Sequence, residues 1–421
     1  MLFLISIFLI KTISSLPTIV FPLEKEDYKF TDPNDYYKYL TRAIVSKIKV
    51  GTPEQEIDLT ILFREHPFFL KTHSLSGKYN KDKSSTFKNL SEEFECIRQT
   101  LLTDAILSTE DFNFKDTKGN NNLIKNVTFI LATQFNSKTS KPLNACLGLT
   151  LIDKSQDMHF NLLNELKYEK KINSSAFSIN YLNNDNGEIV IGALPNEYNN
   201  NYDYNTYRTT PAETTDRSIL WKTPFDSLKL NDKVISNEII GIFDLNFEGF
   251  RMPPKILDNF NELFFNEYYK DNKCTKNQTK EESLTYIMCD NSISLSKFPN
   301  VHFEHKTLNY TFQFSSKELF INLNNKLYFA ILFHSFSKDY ILGEIFLKKY
   351  QMVFDQEKRV IGFYGENLSK SNVILKIVFL IFMTVVVMVL GYFLYIFLIK
   401  KSRKKRAYEL EDDYDYLPSK I

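Results

Sequence analysis

The residue types in this 421-residue chain that could carry chemistry are four cysteines, six histidines and a set of Asn-x-Ser/Thr triplets. The cysteines are Cys96, Cys146, Cys274 and Cys289; no two form Cys-x-x-Cys, and the histidines are scattered, so no zinc or other metal site is expected. Four cysteines allow three connectivities. Cys274 and Cys289 are the closest pair, and closing that loop stabilises by about 3 kcal/mol in the chain-entropy picture. The triplets place candidate N-glycosylation at Asn89, Asn126, Asn173, Asn277, Asn309 and Asn367. Only 12 residues are glycine, about 3% against an average near 7%. None gives the Gly-x-Gly of a dinucleotide site, a P-loop or a Gly-x-Ser-x-Gly elbow. No cofactor is expected.

The segments that must position these residues begin at two apolar blocks. Leu2 to Ile10 is apolar and is followed by a short polar stretch, Lys11 to Ser15, with small residues suited to cleavage; residues 1–15 read as a secretory signal peptide. Ile377 to Ile399 contains no charge and would span roughly 34 Å as a helix, enough for a hydrocarbon core of about 30 Å. Six basic residues follow between Lys400 and Arg406, which by the positive-inside rule places residues 400–421 in the cytosol. The expectation is a single-span type I membrane protein of the secretory pathway or cell surface, with a lumenal or extracellular body. Secretory context permits disulfides. With 52 Lys+Arg against 51 Asp+Glu and the basic excess in the tail, nothing marks a nucleic-acid face. Tyr414-Asp415-Tyr416-Leu417 has the spacing of a signal read by endocytic sorting adaptors, or is simply part of a tyrosine-rich acidic tail.

Between the membrane signals the chain reads as short strands. Ile44–Val50, Ile57–Leu62, Asn126–Leu131, Phe177–Tyr181, Glu188–Ile191 and Tyr350–Phe354 are β-branched or aromatic runs separated by turn residues. Phe160–Lys167 and Pro254–Tyr269 are the helical signals. Many strands and few helices predict an all-β body.

Several segments together resemble the pepsin-like aspartic peptidases. Ile48-Lys49-Val50-Gly51-Thr52-Pro53-Glu54-Gln55 resembles that family's first hairpin, and Lys83-Ser84-Ser85-Thr86-Phe87 its serine-rich loop. Leu147-Gly148-Leu149, Phe177-Ser178-Ile179, Asn186 to Gly192, and Trp221 with Phe225-Asp226-Ser227-Leu228 follow in order. Ile341-Leu342-Gly343-Glu344-Ile345-Phe346-Leu347 leads on through Val353-Phe354-Asp355 to Gly362-Phe363. The resemblance implies a bilobal fold from an internal duplication, with a substrate cleft between lobes. It also implies two catalytic aspartates, each in Asp-Thr/Ser-Gly, sharing one proton because both cannot ionise together.

Counted from Gly51, the first triplet falls at Leu62-Phe63-Arg64, which has no carboxylate, hydroxyl or glycine. Neither Asp58 nor Glu65 is placed to substitute. The apolar run Ile239 to Phe243 leads into the second triplet, which keeps Asp244 but reads Leu245-Asn246 where Thr-Gly is implied. Asp244 is then either a remnant catalytic acid without its partner or a carboxylate satisfied by backbone donors. Asn at 246 tolerates left-handed backbone, so the turn is expected to survive on that basis. In the flap, Arg98 stands for the family's tyrosine and Gln99-Thr100-Leu101 for its Gly-Thr-Gly. Cys96 and Cys146 lie in segments the family brings near each other, so a disulfide tethering the flap is a further expectation. Leu62 and Phe63 are expected at the cleft floor, where they would suit apolar ligands. The segment before Tyr36 is short for the inhibitory prosegment that the resemblance implies.

The expected division is residues 1–15 signal peptide, 16–35 short N-terminal segment, 36–195 N-terminal β lobe, 196–366 C-terminal β lobe, 367–376 linker, 377–399 transmembrane helix and 400–421 tail. The leading expectation is a membrane-anchored pseudoprotease whose cleft binds a peptide or protein. The alternatives are an active aspartic endopeptidase with an atypical dyad, and a structural or adhesive surface glycoprotein.

Overall fold

The computed structural model describes residues 17–65, 67–75, 77–91, 94–95, 102–135, 143–151, 161–181, 186–213, 220–279, 283–335, 338–365 and 381–401. The chain divides into two compact units, Met1–Gly365 and Glu366–Ile421. In the second unit the described part is one helix, Ile381–Lys401, long and apolar enough to cross a membrane. Residues 377–380 of the expected span, the expected signal peptide and residues 402–421 of the expected tail lie outside the described residues.

The first unit is built on two large sheets, of 14 and 11 strands among the described residues. Alternation decides the local structure: in Ile44–Val50 every second residue, from Ile44 through Ser46 and Ile48 to Val50, is buried. This strand pairs antiparallel with Gln55–Leu62, from Val45↔Thr60 to Val50↔Gln55. Gly51 between them has φ +81°, and a Cβ there would sit 2.6 Å from Ser84 Oγ; only glycine fits. The serine-rich loop closes on this turn: Thr52 N donates to Ser84 Oγ (3.0 Å) and Ser85 N to Thr52 O (2.8 Å).

One topology then occurs twice. Gln55–Leu62 runs into a turn and continues as Phe68–Lys71, and Ala145–Gly148 lies between them, parallel to the first and antiparallel to the second. In the second sheet Lys233–Phe243 runs into a turn and continues as Phe250–Met252, with Tyr340–Leu342 between them in the same two senses. Each turn therefore emerges beside the end of an inserted strand. Gly343, at the end of the second inserted strand, is pressed against backbone: a Cβ would lie 2.1 Å from the carbonyl oxygens of both Phe247 and Gly249.

An aromatic core joins the halves. Trp221 is fully buried, with Phe177 at 6.0 Å and Phe354 at 5.2 Å between ring centroids. The 14-stranded sheet is closed by late segments of the chain: Met352–Asp355 pairs with Ala176–Tyr181, and Val360–Tyr364 with both Met352–Asp355 and Tyr207–Pro211.

The expected elements need small corrections. The Tyr350–Phe354 strand is Met352–Asp355, because Tyr350 ends the helix Glu344–Lys349 and its ring packs on Phe346 one turn earlier, 5.4 Å away. The first helix is Leu162–Tyr168, started by Asn161, whose side chain accepts from Leu163 N and Asn164 N. The second runs as successive helical segments from Pro254 to Lys270, with a π turn at Asn261–Phe265. Within the segment expected only as a short N-terminal stretch, Ile19–Lys25 is a strand inside the large sheet.

Candidate functional site

The two turns carrying the triplets meet at the join of the sheets. Asn246 forms the contact with its side chain: Oδ1 accepts from Phe63 N (2.8 Å), and Nδ2 donates to Ile61 O (2.7 Å). One amide thus bonds a donor and an acceptor of the other turn, which a carboxylate or a hydrocarbon cannot do. Its backbone is not left-handed, so the expectation that asparagine sits here for an αL turn is corrected. The side-chain bonds give asparagine its place.

Asp244 is buried at the end of its strand, and its N–H donates to Leu342 O (3.1 Å). Its Oδ1 accepts from Asn246 N (3.0 Å). Its Oδ2 lies 2.8 Å from Arg64 Nε, a close charge contact in which the Nε–H is not aligned as a hydrogen bond. Among the described residues no second carboxylate interacts with Asp244. The arrangement differs in kind from two carboxyls sharing a proton. A guanidinium has N–H donors and no acceptor, so Arg64 cannot take the proton of an attacking water, a task that general acid–base hydrolysis requires.

The remaining triplet positions are committed to packing. Phe63 is 1% exposed, with its ring 5.1 Å from Phe354 and 5.8 Å from Phe177. It belongs to the aromatic core, so the expectation that it lines a cleft floor is corrected: an apolar ring at a turn finds more favourable burial inward than toward water. Leu62 is partly buried against Phe69, Ile130 and Cys146. Leu245 is fully buried.

Trp221 Nε1 donates to Leu149 O (2.7 Å), and Leu149 N donates to Leu62 O (2.9 Å). The single tryptophan is thereby tied to the first turn. No motif marks Glu110, a fully buried carboxylate. It accepts from Tyr79 Oη (2.6 Å), from Thr86 Oγ1 and from Asp111 N (2.9 Å), locking the serine-rich loop to the sheet. Burial and these bonds push the Tyr79 phenol far above its ordinary range.

Cys274 and Cys289 form a disulfide between directly paired residues of neighbouring strands. Of the expected Cys96–Cys146 pair, Cys146 alone lies among the described residues. Cys146 is a free, fully buried thiol packed among Phe69, Ala105, Ile130 and Ala132, and burial raises its pKa well above the ordinary thiol value. Cys96, the flap residues Arg98, Gln99, Thr100 and Leu101, Asn367 and Tyr414–Leu417 lie outside the described residues.

The repeated strand–turn–strand unit and the meeting of its two turns invite comparison with known families. The model of the eukaryotic aspartyl protease family matches residues 43–365. The chain belongs to that family. Its fold is pepsin-like, as expected from the motifs. Among solved structures, basic 7S globulin from soybean superposes with a TM-score of 0.61 at 13% identity, covering 84% of this chain and 98% of that one. Conglutin gamma, a basic 7S globulin from lupine seeds, gives 0.61 at 16% identity, with 84% and 96% covered. At such identities the likeness concerns the fold alone. No curated protein sequence matches the chain.

Proposed function

We propose that this chain is a non-catalytic member of the family, anchored as a type I membrane protein, whose inter-lobe cleft binds a peptide or protein. One observation carries the reading: Asp244, the single retained triplet aspartate, faces the guanidinium of Arg64 at 2.8 Å where the family's mechanism needs a second carboxyl. The position that would supply that carboxyl is Leu62. The full chain in detergent, offered a mixed peptide library between about pH 3 and 7, is expected to cleave nothing. Leu62→Asp alone is expected not to restore cleavage, because Phe63 and Arg64 remain. Pepstatin-sensitive cleavage that disappears in Asp244→Ala would overturn this reading in favour of an active aspartic endopeptidase.

The proposed division keeps a signal peptide at 1–15, lobes at 36–195 and 196–366, a linker at 367–376 and a cytosolic tail at 400–421. The helix Ile381–Lys401 and its terminal Lys400 and Lys401 support the anchor and its orientation. A lumenal body would carry glycans. Asn89, Asn126, Asn173 and Asn309 are exposed, and Asn277 is half-buried. Endoglycosidase mass shifts in single Asn→Gln variants test each one. Tyr414–Leu417 would then face cytosolic sorting adaptors, tested by internalisation of Tyr414→Ala.

A further inference from the structure

The segment before the first hairpin is short, but it is built into both sheets of the first unit. Ile19–Lys25 pairs along its length with Gly187–Ile191, from Ile19↔Ile191 to Leu23↔Gly187. On its other side it meets Ile44–Val50 at Glu24↔Val45 and Lys25↔Ile44. Ile19, Phe21 and Leu23 are buried, and Phe21 packs edge-on to Phe114. Taking this strand out would open a sheet in its middle and leave two strands with unpaired edges.

The same segment then crosses to the second sheet. Tyr36 and Leu40 are buried among Tyr286, Tyr328, Leu332 and Ile341. Tyr36 Oη donates to Phe329 O (3.2 Å), Tyr286 Oη to Pro33 O (3.1 Å) and Glu248 N to Leu40 O (2.8 Å).

Charge makes the link specific. Lys25 Nζ lies 2.6 Å from Glu344 Oε2 and 3.0 Å from Glu248 Oε2, and Arg42 Nη2 donates to Glu248 Oε2 at 2.8 Å. Lys348 reaches Glu344 Oε1 at 3.3 Å. Glu344 is 3% exposed, and Lys25 and Lys348 are its ion-pair partners. Burial alone would lower the Lys25 pKa, but Glu344 and Glu248 outweigh it and hold the ammonium charged. Burial would raise Glu248, and Lys25, Lys348 and Arg42 outweigh it in turn. Glu248 and Glu344 flank the second turn: Glu344 N donates to Phe247 O (2.7 Å) and Ile345 N to Glu248 O (2.9 Å).

We propose that residues 17–42 are a permanent inter-lobe clamp, not a releasable leader. The strand completes the first sheet, the helix Tyr36–Leu40 plugs the second, and Lys25 with Arg42 neutralises the two carboxylates that brace the Asp244 turn. The folded protein therefore keeps its N-terminal segment, and this holds whether or not the cleft is catalytic.

The link between strand and helix is open to a cut, since Glu26, Asp27 and Lys29 are exposed. A recognition sequence for a site-specific protease, inserted after Asp27 in the full chain, severs the strand from the rest. The expected result is that the fragment ending at Asp27 co-elutes with the cut protein in gel filtration and leaves only when the body unfolds. The same cut in Lys25→Met is expected to lose the fragment, and in Lys25→Arg to retain it. A fragment that separates while the body keeps its near-UV circular dichroism and its melting temperature would overturn the clamp. A fragment whose loss unfolds the body supports it.

Discussion

Replacing Asn246 by alanine removes both hydrogen bonds that its side chain makes to the other turn without touching the core. The net value of a hydrogen bond is about 0.5–1.5 kcal/mol, and a buried donor left without an acceptor costs about 1–3 kcal/mol. Phe63 N–H loses its acceptor here, and Ile61 O loses a donor. The expected destabilisation is therefore about 2–4 kcal/mol. For a body of roughly 350 residues the unfolding entropy is about 0.7 kcal/mol/K, so the melting temperature should fall by roughly 3–6 °C. Glycine at the same position is the decisive comparison. The backbone of Asn246 is not left-handed, so glycine brings no conformational relief and adds about 0.5–1 kcal/mol of chain entropy cost. Differential scanning calorimetry of the full chain should therefore rank wild type above Asn246→Ala above Asn246→Gly. If Asn246→Gly proved more stable than Asn246→Ala, asparagine would be serving the turn's backbone, and the side-chain clasp would be the wrong explanation.

Asp244→Asn should be far milder, costing within about 1 kcal/mol, because the Arg64 side chain is 36% exposed and the ion pair is screened by water; calorimetry on the same preparation reads this. Reduction of Cys274–Cys289 frees a loop with a sequence separation of 15 and should cost about 3 kcal/mol, seen as a lower denaturant midpoint in Cys274→Ala/Cys289→Ala. His305 is buried, donating through Nε2 to Thr223 Oγ1 (3.2 Å) while Nδ1 accepts from Leu308 N. Burial lowers its pKa below 6.5 despite Asp226, so its contribution is present above pH 6.5 and is lost as pH falls through the folded value; His305→Gln should flatten the acid side of the stability profile. Glu169 behaves oppositely. Burial and its hydrogen bond to Glu165, also buried, raise it to about 7, against the smaller opposing effects of Thr128 and Lys171. Its contribution is therefore full below the unfolded value near 4.5 and is lost as pH rises through 7, so Glu169→Gln should remove a loss of stability between those limits in denaturant titrations run at stepped pH.

Much of the fold was legible because its signals are local. The alternation in Ile44–Val50, the Gly51 turn and the apolar run into Asp244 each constrain only a few neighbouring residues, and order along the chain then pointed to the family. The boundary errors arose where tertiary contacts decide: Tyr350 belongs to a helix end because its ring meets Phe346, and Ile19–Lys25 is a strand because a partner edge 160 or more residues later receives it.

At the site, the absences could be read directly, since a missing carboxylate at Leu62 and missing glycines at Arg64 and Asn246 are facts of composition at known spacing. What fills those positions could not be read that way. The turn of Phe63 into the aromatic core, the approach of Arg64 to Asp244, the amide of Asn246 reaching Ile61 and Phe63, and the free Cys146 depend on which side of a turn a side chain takes and on residues about 180 or more positions away in three of the four cases. The sequence by itself determined the family, the apolar span near the C-terminus and the lack of a carboxylate at Leu62, because each is a local pattern. Only the tertiary structure decided that Arg64 faces Asp244, that the Asn246 amide bonds Ile61 and Phe63, and that Ile19–Lys25 pairs with Gly187–Ile191, because those contacts join residues far apart in the chain, and no local pattern encodes a partner across a fold.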